Sequence, residues 1–243
     1  MKAYRLGLLL LLPAACSSPP PDQGLVGRWK FDDAQNVAAD SSGNGNSATV
    51  LNGDWGAGVD GGALLFDGSG DSVVTVPLSD TLRATSRAIT VSALAYRTAE
   101  HNVALVAHGY PTLFFGFHGP QFKWQISLDN GRGAACYADR KYHADLNRWY
   151  HLAATYNGYV ARLYVDGEEI CKRWTWGSIK MPDAPFTIGS YLDDDGKIVD
   201  EITGLVDDVR IYSRALSAGE IKALAADSQR QAPVPTVSRN SSP

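Results

Sequence analysis

The stretch Asp40-Ser-Ser-Gly-Asn-Gly45 places oxygen-bearing side chains at alternate positions ahead of a glycine, as the first half of many calcium loops does. Calcium takes six to eight oxygen ligands at about 2.3–2.6 Å, and a tight Asp/Ser/Asn turn can supply them from side chains and carbonyls. Asp40, Asn44 and Asn46 are the candidate ligands in this turn. The twelfth position counted from Asp40 is Leu51, so the distal Glu of an EF-hand is missing and another part of the chain must complete the shell. Asp207 is the candidate for that role. It shares the parity of Val209 and Ile211, and a carboxylate facing a core is costly unless paired or metal-bound. The expectation is a structural calcium ion. The same residues also allow an Asx turn at Asp40, with Asp207 paired to an arginine or placed beside a bulge. A second acidic run, Asp193-Asp-Asp-Gly196, has Tyr191 and Ile202 at positions one and twelve of that template and reads as a solvated turn.

Trp174 and Trp176 are the other residues with a chemistry to offer. Two positions apart on a strand, both rings would share one face and could stack on sugar rings. Lys172, Arg173 and Lys180 nearby suggest solvent exposure, although paired tryptophans in a sandwich also serve as core, as expected of Trp29, Trp124 and Trp149. The five histidines show no HExxH spacing, and neither GxSxG nor a P-loop occurs. His151 is expected to make a structural hydrogen bond. No residue is nominated as catalytic.

The elements that must position these groups read as short strands separated by Gly, Asn and Asp, a pattern for a sandwich or barrel. Expected strands cover 25–31, 63–66, 72–76, 89–96, 103–107, 113–117, 122–128, 134–138, 149–156, 160–165, 168–172 and 205–212. Asn157-Gly158 and Asp166-Gly167 are expected hairpin turns with positive φ at both central positions. Alternation along Leu152, Ala154 and Tyr156, then Leu163 and Val165, suggests a sheet with one buried face. One helix is expected, opened by the capping box Ser217-Ala-Gly-Glu220 and carrying Ile221, Leu224 and Ala225 on an apolar stripe. From Asp227 the chain is rich in Gln, Pro, Ser and Arg, so residues 227–243 read as a disordered tail.

The 243 residues suffice for one sizeable β domain, and a net charge of −4 without a basic patch argues against nucleic acid as a partner. At the N-terminus, Lys2 and Arg5 precede a leucine-rich run too short to span a bilayer, which reads as a signal segment over residues 1–15. Pro13-Ala-Ala-Cys16 resembles a bacterial lipobox, although Pro13 stands where that motif prefers an aliphatic residue. The resemblance implies lipidation at Cys16, membrane attachment through the lipid, and Ser17 favours outer-membrane sorting. The alternative is an ordinary signal peptide cut after Ala15. Ser17-Ser-Pro-Pro-Pro21 then suits an extended tether over residues 16–23. Cys136 and Cys171 remain in a compartment where disulfides survive, and pairing is expected over two separately buried thiols.

Six ordered segments carry a family resemblance. Gly24-Leu-Val-Gly-Arg-Trp-Lys-Phe-Asp32, Asp40–Asn46 and Gly62-Ala-Leu-Leu-Phe-Asp-Gly68 come first. Trp149-Tyr-His-Leu-Ala-Ala-Thr-Tyr156, Leu163-Tyr-Val-Asp-Gly167 and Gly204-Leu-Val-Asp-Asp-Val-Arg-Ile-Tyr212 follow. Together they resemble LamG-like jellyroll domains of the concanavalin A-like lectin/glucanase superfamily, over residues 24–226. The resemblance implies an all-β, antiparallel two-sheet jelly-roll sandwich with one short C-terminal helix. It also implies binding of carbohydrate or of an envelope or extracellular protein, often with calcium. Related glucanases carry a Glu-x-Asp-x-(x)-Glu cluster on one strand; Asp200-Glu201 and Asp207-Asp208 do not reproduce it, so the expected module binds without catalysis, the alternatives being a glycoside-active enzyme with an atypical site and a purely structural envelope component.

Overall fold

The computed structural model describes residues 22–33, 37–109, 112–139 and 141–231. Cys16, the signal segment and most of the expected tail lie outside them.

The chain begins with strands β1 (Leu25–Trp29), β2 (Val37–Ala38), β3 (Ala48–Leu51), β4 (Asp54–Ala57), β5 (Gly62–Asp67) and β6 (Val73–Val76). A short helix α1 (Asp80–Arg83), capped by Ser79, leads through a 3-10 turn to β7 (Ile89–Arg97). The meander continues as β8 (Val103–His108), β9 (Leu113–His118), β10 (Gln121–Ser127) and β11 (Gly133–Tyr137). Then come β12 (Trp149–Tyr156), β13 (Val160–Val165), β14 (Glu168–Trp174) and β15 (Phe186–Ile188). The small hairpin β16 (Tyr191–Leu192) and β17 (Ile198–Val199) precedes the long β18 (Thr203–Tyr212) and helix α2 (Ala218–Gln231). Each segment expected as a strand forms one, and β2, β3, β4, β15, β16 and β17 are additional.

Two eight-stranded antiparallel sheets result. The first runs β14-β13-β12-β7-β18-β5-β4, with β1 also paired to β18. The second runs β11-β10-β9-β8-β15-β6-β3-β2. This is the expected jelly-roll sandwich. Its core holds Trp29, Phe115, Phe117, Trp124, Phe186 and Ile211 with almost no exposure. Trp149, expected in the core, is only half-buried because it opens β12 at the sheet's end, where it leans on Tyr96. In the first sheet, one cross-strand row links Leu25 to Tyr212, Tyr212 to Thr90, Thr90 to Thr155, Thr155 to Arg162 and Arg162 to Lys172.

Two local expectations change. β12 is buried on both faces, because α2 folds back across the outside of the sheet and Ile221 and Leu216 pack on Ala153, Tyr164 and Tyr212. The capping box forms as expected: Glu220 accepts the Ser217 N–H at 2.7 Å, while Ser217 Oγ accepts the Glu220 N–H at 3.3 Å. The helix then continues to Gln231, past the expected start of the tail. At the hairpins, Asp166 and Gly167 both have positive φ (50° and 85°). At Asn157-Gly158 only the glycine does, because Asn157 instead accepts the N–H groups of Tyr159 and Val160 through its side chain.

Candidate functional site

The three most exposed aromatics among the described residues gather at one end of the sandwich. Trp174 closes β14 at 75% exposure and Trp176 follows in the connecting loop at 53%. Thr175 between them is buried, so the inward position falls on a small residue and the two indoles stay outside. Val160 pairs with Trp174, and the Thr175 N–H reaches the Tyr159 carbonyl at 3.1 Å, which brings the 68% exposed Tyr159 to the same edge. The turn between β10 and β11 completes it: Asn130 Nδ2 donates to the Trp176 carbonyl at 2.7 Å, and the Arg132 guanidinium lies 3.7 Å from the Trp176 ring centroid. Flat apolar rings beside polar donors are what a saccharide's CH-rich faces and hydroxyls require. Tyr159 and Arg132 had not been nominated from the sequence. The available signal was an aromatic directly after the Asn157-Gly158 turn; nothing local in sequence connects Arg132 to Trp176.

Behind this end the two sheets are stapled. Cys136 on β11 and Cys171 on β14 form the expected disulfide, with Cα atoms 5.8 Å apart, joining the edge strand of one sheet to that of the other.

The nominated calcium ligands carry hydrogen bonds within the protein, and Asp207 takes its partner apart from the other three. Asp40 Oδ1 accepts the N–H groups of Arg28 (3.0 Å) and Ser42 (2.8 Å), and Oδ2 accepts the Ser42 hydroxyl (2.9 Å) and the Asn46 N–H (2.9 Å). Burial opposes the Asp40 charge, but these hydrogen bonds outweigh it and hold its carboxyl below the usual range. Asn44 Nδ2 donates to the Leu25 carbonyl, and Asn46 is spent on the Val26 carbonyl and the Ser79 hydroxyl. The turn is a latch beneath β1. Among the described residues, no group of three or more His, Cys, Asp or Glu side chains could hold a metal ion. Asp40→Ala is expected to cost about 2 kcal/mol, since it strands several donors at once. The melting temperature of the unsubstituted protein should be the same in calcium and in chelator. A calcium-dependent rise abolished by Asp40→Ala would return these residues to a metal shell.

Asp207 is buried elsewhere. A bulge at Asp208, with φ 43°, shifts the register of β18, so Val206, Val209 and Ile211 enter the core while Asp207 turns to the opposite face. There it accepts the Val59 N–H at 2.8 Å. Burial pushes its carboxyl up to about 7, helped by the charge of Asp208 and opposed by N–H groups that include Val59 and Asp60. Asp208 itself takes Arg28 at 2.7 Å and pairs with Arg210; despite burial, these partners keep its carboxyl low.

His151 and Glu201 make structural bonds. His151 Nε2 lies 3.3 Å from Ser92 Oγ, the hydrogen bond expected of this histidine. Burial first, then the Arg210 charge, lowers its pKa to about 4, so the ring is neutral at pH 7. Ser92 is itself buried, out of a substrate's reach. Glu201 accepts the N–H groups of Gly68 and Ser72, both at 3.0 Å.

Comparison with known proteins agrees with this architecture. The family model Laminin_G_3, described as the concanavalin A-like lectin/glucanases superfamily, matches residues 67–222. No curated protein sequence matches the chain. Among solved structures, the binding domain of Paraclostridial Mosquitocidal Protein 1 superposes with a TM-score of 0.71 at 15% identity, covering 86% of this chain and 53% of that one. Domain 4 of AbnA, a GH43 extracellular arabinanase from Geobacillus stearothermophilus solved with arabinotriose, gives 0.63 at 19% identity, covering 83% and 98%. The binding domain of botulinum neurotoxin DC, solved in complex with SialylT, gives 0.65 at 14% identity, covering 86% and 53%. This chain spans about half the length of the two toxin binding domains. At these identities the likeness is one of fold.

Proposed function

The chain belongs to the concanavalin A-like lectin/glucanases superfamily, and from that premise we propose that it is a carbohydrate-binding module that does not turn over its ligand. The exposure of Trp174 and Trp176 beside Tyr159 carries this reading. A large indole left in water at the end of a well-packed sandwich contributes little to the fold, and it offers a saccharide a flat apolar platform. The arabinotriose-bound relative, matched over nearly its whole length, supports the same use of the scaffold. The sequence lacks the glucanase carboxylate cluster, which supports binding without hydrolysis. Lipidation at Cys16 would hold the module in the cell envelope, at the outer membrane, and palmitate labelling lost in Cys16→Ser tests that.

Glycan-array binding by the purified protein tests the module itself. Trp174→Ala should weaken retention by about tenfold, as loss of a stacking anchor does, while the melting temperature stays nearly constant because the ring is exposed. Equal retention by Trp174→Ala and the unsubstituted protein, or reproducible release of reducing sugar from a bound polysaccharide, would overturn the reading.

A further inference from the structure

We infer that the saccharide held at this edge is negatively charged, carrying carboxylate or sulfate groups that Arg132 and Lys172 receive; the inference rests on the carbohydrate reading of the same edge. The chain as a whole is acidic, at −4, yet cations collect here. The Arg132 guanidinium is stacked on Trp176 and the Lys172 ammonium lies 5.0 Å from the Trp174 ring centroid. Arg173 donates to the Lys172 carbonyl at 2.9 Å. Among the described residues, no carboxylate forms a salt bridge with Arg132, Lys172 or Arg173, whereas Arg28, Arg148, Arg162 and Arg214 each have one. Of the nearby carboxylates, Glu169 pairs with Arg162 at 3.1 Å, while Asp129 accepts the Ser178 N–H at 3.2 Å and keeps its charge, which the three cations must outweigh to hold an acidic ligand.

Arg132 is also held in place. Its N–H donates to Asn130 Oδ1 at 3.1 Å, and Asn130 in turn binds the Trp176 carbonyl, so the turn and the tryptophan loop are latched together. The guanidinium carbon sits over the ring, and among the described residues its N–H groups carry no salt bridge; their fork matches a planar carboxylate or two sulfate oxygens. Each indole has a cation over one face, Arg132 on Trp176 and Lys172 more loosely on Trp174, and Trp174 is the more exposed platform. A sugar ring on Trp174 would lie beside Lys172, with Arg132 on the neighbouring indole.

An anionic bilayer also attracts exposed tryptophans flanked by cations. The Arg132 contact favours the saccharide. Inserting Trp176 into lipid would drag a guanidinium out of water, which is costly, whereas a stacked sugar leaves the charged groups wet.

The test measures retention of the purified protein on polygalacturonate, dextran sulfate and neutral dextran, and its co-sedimentation with phosphatidylglycerol vesicles. The expected result is binding to a polyanionic saccharide, with the carboxylated and sulfated arms identifying which group is preferred. Dextran should not be retained. Binding should weaken about tenfold in Arg132→Gln, as loss of a charge-assisted hydrogen bond does, and again in Lys172→Gln. It should fall as salt screens the pairs and should require Trp174, with melting temperatures unchanged. Trp174-dependent retention on dextran that ignores Arg132→Gln would overturn the charge assignment and leave the carbohydrate reading intact. Trp174-dependent sedimentation with vesicles, without retention on any saccharide, would overturn both. Failure to bind any of the four probes in a Trp174-dependent way would likewise overturn the acidic-saccharide assignment.

Discussion

Loss of the Cys136–Cys171 disulfide is expected to lower unfolding stability by about 4 kcal/mol. The two residues are separated by 35 positions, and closing a loop of that length removes denatured-chain entropy of this order at 25 °C. The native side adds to the effect. Both cysteines belong to the core, so truncation to alanine also leaves a small cavity. The bridge joins the two outermost strands on one side of the sandwich, β11 and β14, where neither has a sheet neighbour beyond it. Denaturant titration of a Cys136→Ala/Cys171→Ala variant measures the loss. Intact mass after alkylation under denaturing conditions without reductant checks the premise, and two alkylated thiols would remove it.

A gain of comparable size is expected from Asp207→Asn at alkaline pH. The folded carboxyl titrates at about 7, against about 3.9 in an unfolded chain. Between those values the folded protein holds a proton that the unfolded chain has released, so stability falls as pH rises through this window. The cost is complete above it. A difference of roughly three pH units corresponds to about 4 kcal/mol, spread between about pH 4 and pH 7. Asparagine keeps an oxygen for the Val59 N–H and carries no charge to desolvate. The variant should therefore match the unsubstituted protein near pH 4 and melt several degrees higher at pH 8. Parallel melting curves across the whole range would show that Asp207 is solvated or paired when ionised.

Asp207 also shows where a sequence stops being legible. Alternation along β18 is visible in the chain, and so are the residues that fill it. The extra residue at Asp208 was open only as an alternative, because a bulge leaves no mark on composition while reversing the parity of everything before it. The carboxylate expected to face the core beside Val209 therefore faces outward, under the backbone of Val59. Long strands with clear turns were readable, since period-two burial and Asp-Gly chemistry act locally. β4, with a glycine and an aspartate among its four residues, and the two-residue β2, β16 and β17 were not, because pairing partners create such strands. Asp40 was legible as the centre of a turn; whether its oxygens face a cation or N–H groups depends on β1 arriving from elsewhere. The tryptophan pair was visible by spacing, but its exposure turns on Thr175 taking the inward position.

The cross-strand row from Leu25 to Lys172 gives the domain a direction. The chain enters the first sheet at Leu25, at the same end from which Trp174 and Trp176 project, five strand spacings or about 24 Å to one side. A protein held through Cys16 would therefore hang with its aromatic edge toward its own attachment, scanning the layer nearest the anchor. Its standoff would be set by the length of the Ser/Pro stretch and not by the height of the sandwich. Lengthening that stretch would raise the site without altering a single contact in it.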